Sequence, residues 1–73
     1  MMTYNVQIEG MMCGMCEAHV NDAIRKNFDV KKVKADHKKN RCVIKTDNEI
    51  DAEKLEAVIK ETGYTFKGIT TED

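Results

Sequence analysis

The chain has 73 residues, 41% hydrophobic and 34% charged, with a net charge of −1; this suits one soluble domain over 1–73 with a small core and excludes a disordered tail. No run approaches the ~18 continuous apolar residues of a membrane span, and Met1-Met2-Thr3-Tyr4-Asn5-Val6 lacks the basic stretch and apolar run of a secretory signal. Three cysteines without such a signal predict thiols in the reducing cytoplasm, hence metal or redox chemistry rather than a disulfide framework.

Tyr4, Val6 and Ile8 alternate with Thr3, Asn5 and Gln7, the period of a strand with one buried face, and that strand should end at Gly10. From Gly14 to Asn27 the apolar residues Val20, Ala23 and Ile24, with Phe28 beyond, recur at helical spacing. Val30 to His37 and Arg41 to Thr46 alternate again, with Val33, Ala35, Cys42 and Ile44 inward and Lys38-Lys39-Asn40 between them, which predicts a hairpin. Asp51 can cap a second helix whose apolar face is Leu55, Val58 and Ile59, and Gly63 after Thr62 is a helix stop. Tyr64 to Ile69 reads as the last strand.

The order strand, helix, strand, strand, helix, strand is the βαββαβ pattern of a ferredoxin-like α+β sandwich: an antiparallel four-stranded sheet with both helices on one face. No linker, repeat or proline divides the chain. Charge is segregated along it. Arg25 to Lys45 is basic, interrupted only by Asp29 and Asp36, and the remainder from Asp47 is mainly acidic. Two solvated faces and a charge-complementary docking surface both fit this pattern. Nucleic acid does not, because Phe28 alone among aromatics lies in the basic run and no stacking array accompanies it.

The chemistry lies in Cys13-Gly14-Met15-Cys16, two sulfurs three residues apart where a loop becomes a helix. Unpaired N–H groups and the positive end of the helix dipole favour thiolate there, and thiolates select copper(I), zinc and other soft ions over calcium and magnesium. Met11, Met12 and Met15 add soft apolar shielding. A structural zinc site needs four ligands, and no second C-x-x-C or H-x-x-x-H is present. His19, His37 and Cys42, which could complete one, are spread over a helix and two strands. A thioredoxin-like thiol-disulfide oxidoreductase also starts a helix with C-x-x-C, but the chain is short for that fold and lacks proline and tryptophan. Cys42 alternates inward with Ile44 and reads as core. His19 should face solvent one turn past Cys16, and His37 reads as a surface residue near the turn.

Gly10-Met11-Met12-Cys13-Gly14-Met15-Cys16, after a strand and opening a helix, resembles the G-M-x-C-x-x-C signature of heavy-metal-associated domains. These include bacterial copper chaperones and the amino-terminal domains of copper-transporting P-type ATPases. The similarity covers essentially the whole chain, and Thr62-Gly63-Tyr64 resembles the Gly-Tyr after the second helix of bacterial members. The resemblance implies one copper(I) ion per chain, held near-linearly by Cys13 and Cys16 and passed without catalysis to a similarly folded partner, such as the metal-binding domain of a copper-transporting P-type ATPase. It implies a core role for Met11. Met12 stands where zinc-transporting relatives commonly carry a carboxylate, which favours copper over zinc; zinc or mercury handling by the same fold is the alternative. Met15 replaces the usual His, Ala or Ser, either as a weak third donor or as an exposed or packing thioether. Tyr64 sits where eukaryotic chaperones carry lysine, either lining the metal loop or packing its ring. The expected state is a monomer, with a metal-bridged dimer open to it. Met1 and Asp73 fit the ends of a complete chain.

Overall fold

A computed structural model of the chain describes residues 2–12 and 14–72. Its elements are β1 (Met2–Glu9), α1 (Gly14–Asn27), β2 (Lys32–Asp36), β3 (Arg41–Thr46), α2 (Ala52–Glu61) and β4 (Thr65–Glu72). The strands form one sheet in the order β2-β3-β1-β4, every neighbouring pair antiparallel. This is the ferredoxin-like arrangement expected from the order of elements.

The period-two patterning decides which face of the sheet is covered. Val6 and Ile8 of β1, Val33 and Ala35 of β2, and Cys42 and Ile44 of β3 point to one side, where they meet Val20 and Ile24 of α1 and Leu55 and Ile59 of α2. These side chains are almost wholly withdrawn from water, each large aliphatic contributing about 1.5–3 kcal/mol. Lys32 and Lys45, directly opposite one another in the register, are exposed on the other side of the sheet.

Both ends of α2 carry the expected signals. Asp51 accepts from Glu53 N at 3.0 Å, satisfying a first-turn amide that has no intrahelical partner. Gly63 takes φ +93° and donates to Lys60 O at 3.0 Å, the left-handed exit that glycine adopts most cheaply.

Two strands, β2 and β4, differ in extent from the sequence expectation. β2 begins at Lys32 rather than Val30. The segment before it is held to β3 by single contacts rather than a ladder: Lys31 N donates to Lys45 O at 2.8 Å and Thr46 Oγ1 donates to Asp29 O at 3.3 Å. β4 starts at Thr65 and continues past Ile69 to Glu72, because β1 reaches back to Met2 and supplies partners as far as Thr3↔Glu72. Its last residues are polar and carry no alternating signal. Pairing, not patterning, makes them strand.

The topology gathers three connections at one end of the sheet. β1 ends beside the start of β3, with Gln7 opposite Arg41, and beside the start of β4, with Glu9 opposite Thr65. The β1–α1 segment, the β2–β3 turn and the α2–β4 connection therefore share an edge of the molecule.

Candidate metal centre

The segment that leaves β1 turns at Gly10, whose φ of +101° L side chains rarely adopt. A Cβ there would also stand 3.4 Å from Tyr64 Cδ1. Met11 then dives into the core, 4% exposed, as its expected packing role requires. Met12 and Met15 do the opposite, at 81% and 83% exposed, so the soft shielding expected of all three methionines divides into one buried anchor and two thioethers in solvent.

Cys13 lies outside the described residues. Cys16 stands in the first turn of α1, half-buried and packed against the core. First-turn N–H groups and the helix dipole favour its thiolate. Met15, Cys16, Ala18, His19, Asp22 and Tyr64 line a shallow depression beside it.

The other candidates separate by position. His19 is exposed, its ring edge-on to Tyr64 at a centroid distance of 6.3 Å. Tyr64 is half-buried against the core, so its ring links α1 to the turn at Gly10. Cys42 is wholly buried, and burial pushes its thiol up to about 12. A thiol held neutral in an apolar core is a poor ligand. Among the described residues, no three His, Cys, Asp or Glu side chains converge as a metal cluster, so His19, His37 and Cys42 do not come together with one another.

His37 needs a correction. It is not simply a surface residue near a turn. Its side chain is only 29% exposed; its backbone N–H donates to Glu17 Oε2 at 2.8 Å, and its Nδ1 lies 2.6 Å from the same oxygen, where an Nδ1–H donates to a carboxylate. The backbone and ring donors of His37 hold the Glu17 carboxyl below the usual range. Sequence reasoning missed this pair. The one local signal was an acid in the first turn of a helix, favourable to the dipole, and it does not name a partner twenty residues away.

Strand-to-helix thiol, buried methionine anchor and four-stranded sandwich are together the features expected of a heavy-metal-associated domain. The chain belongs to the heavy-metal-associated domain family, whose pattern matches residues 5–65. It is 34% identical to the copper chaperone CopZ of Enterococcus hirae over 64 residues, which is 86% of this chain and 93% of that protein. Two solved structures are similar at 26% identity. The N-terminal domain of ZntA in its Zn(II) form has a TM-score of 0.80, with 90% of this chain and 89% of that one covered. A putative copper-ion-binding protein of Bacillus anthracis str. Ames has a TM-score of 0.76, with 92% and 97% covered. Among the described residues no helix is long and apolar enough to cross a membrane.

Proposed function

We propose that the whole chain, 1–73, is a single metal-delivery domain that takes one copper(I) ion between the thiolates of Cys13 and Cys16 and passes it on in the cytoplasm. The intended recipient is a metal-binding domain of the same fold, such as that of a copper-transporting P-type ATPase. The observation that carries this reading is Cys16 in the first turn of α1, half-buried and flanked by two exposed thioethers. A thiolate so placed is stabilised by the helix, yet a second molecule can approach it.

The donor set fits a soft ion of low coordination. Two thiolates three residues apart can face one ion, and thiolate sulfur favours copper(I) over hard cations. Transfer then proceeds by ligand exchange. A partner thiolate adds to the ion, a three-coordinate arrangement forms, and Cys13 or Cys16 leaves. One metal–sulfur bond forms as another breaks, while the covalent bonds within each protein and the oxidation state of copper are unchanged, so the chain acts as carrier rather than enzyme. Similarity to a copper chaperone over most of the chain supports the choice of metal; similarity to a Zn(II)-form domain makes zinc the second reading.

Anaerobic titration of the reduced protein with copper(I) against a colorimetric chelator tests this. One equivalent should be withheld from the chelator, and Cys13→Ser or Cys16→Ser should each abolish retention. Zinc displacing copper at matched free concentrations would establish the second reading. Copper left with the chelator while the protein reduces insulin disulfides would replace both with a dithiol oxidoreductase.

A further inference from the structure

The β2–β3 turn reaches both flanks of the metal segment. On one flank Ile8 N donates to Asn40 O at 2.9 Å, beside the irregularity in β1 between Gln7 and Ile8. On the other flank Glu17, the residue after Cys16, accepts from the backbone of His37 and meets its ring. Ile8 and Glu17, which precede and follow the cysteine motif in the chain, are therefore both fastened to the same turn. That turn is itself braced, because Asp36 Oδ1 accepts from Lys38 N at 2.9 Å and Lys39 N at 3.3 Å.

We infer that Glu17 and His37 are positioning residues for the metal centre: by tying the first turn of α1 to the β2–β3 turn, they hold the Cys16 sulfur in place and slow release of its ion. The inference rests on the copper-binding reading above. Its physical basis is that the first turn of a helix has amides without intrahelical partners and opens at the lowest free energy. A tether at Glu17 restrains the turn that carries the thiolate. Partners just outside a metal's ligands commonly set how firmly the ligands hold it.

The same helix supplies an internal comparison. Asn21 Oδ1 accepts from Ala35 N at 2.9 Å, so it fastens α1 to β2 one turn further along, ~6 Å from Glu17 by helix rise. Loss of either contact loosens the helix from the β2–β3 hairpin. Only loss of the first should free the turn at Cys16.

The test is anaerobic stopped-flow release of copper(I) to excess chelator from the wild type, Glu17→Ala, Glu17→Gln and Asn21→Ala, with urea midpoints and backbone 15N relaxation of the metal-free proteins alongside. Glu17→Ala should release the ion about ten-fold faster and lower the order parameters of residues 14–17. Glu17→Gln, whose amide oxygen still accepts from the His37 N–H, should recover part of the difference. Asn21→Ala should lower the urea midpoint while release stays within about two-fold of the wild type. Release from Glu17→Ala at the wild-type rate, or equal acceleration in Asn21→Ala, would overturn the inference. If the wild type retains no copper, it is the functional reading that fails. The relaxation data then decide the tether alone, and unchanged order parameters in Glu17→Ala would refute it.

Discussion

Cys16 sits in the first turn of α1 while Cys42 serves the core, and the difference is set by what surrounds each sulfur. Cys42 has neighbours on the inner face of the sheet and no water, so its thiol ionises only near about 12, against an ordinary value of 9.0. In the unfolded chain it ionises at the ordinary value. Its raised folded value therefore contributes stability that is intact below pH 9 and drains away as pH climbs toward 12. Between about pH 8 and pH 10 the metal-free wild type should lose on the order of 1 kcal/mol through this residue. Cys42→Ala, itself less stable by about 1 kcal/mol from the space it leaves, should lack that component of the alkaline fall. Urea midpoints of both proteins at the two pH values measure the difference; parallel curves would mean that Cys42 is solvated. The inward place of Cys42 was legible from alternation alone. The division of labour among Met11, Met12 and Met15 was less so, because the turn at Gly10 sends one methionine under the loop and leaves two outside, and no periodicity encodes that.

At the level of elements, α1 and α2 were readable from local signals, the 3.6-residue apolar stripe and the Asp51 and Gly63 termini, because those signals act within a few residues. The contact between α1 and the β2–β3 turn was not. It depends on where a hairpin lands on a helix, a consequence of sheet order and register rather than of any segment, and this is why His37 read as an ordinary surface residue. The contact should be visible in acid. His37 holds the Glu17 carboxyl below its ordinary value of 4.5. Burial opposes the same shift at Asp36, but the Lys38 and Lys39 amides prevail and hold that carboxyl below 3.8. A depressed folded value contributes stability that is complete above the unfolded value and is lost as pH falls through the folded one. Stability of the metal-free wild type should therefore decline below about pH 4.5, and Glu17→Gln, with no proton to take up, should decline less steeply. Denaturant midpoints at a series of acid pH values decide it. An acid limb of equal slope in both proteins would remove Glu17 from the account.

For the molecule as a whole, the question is what folding adds to two sulfurs that the chain already holds three residues apart. Cys13 and Cys16 remain neighbours when the protein unfolds, so the unfolded chain can also take a soft ion. Stabilisation by metal then reports only the preference for the folded state. On the proposed ligation, that preference would come from the helix dipole at the first turn of α1 and from the core against which Cys16 packs. Both depend on Met11 and Ile24 being buried, and so on the whole sandwich. A ten-fold preference is about 1.4 kcal/mol, which for a domain of this size raises the thermal midpoint by about 6–11 °C. One equivalent of copper(I) should produce a rise of that order in the reduced wild type under anaerobic conditions, and none in Cys16→Ser. Calorimetry measures both. If copper binds tightly but the midpoint stays where it was, the folded domain holds the ion no better than an unfolded C-x-x-C segment does. The sandwich would then serve to present the site to a partner, and affinity would come from the two sulfurs alone.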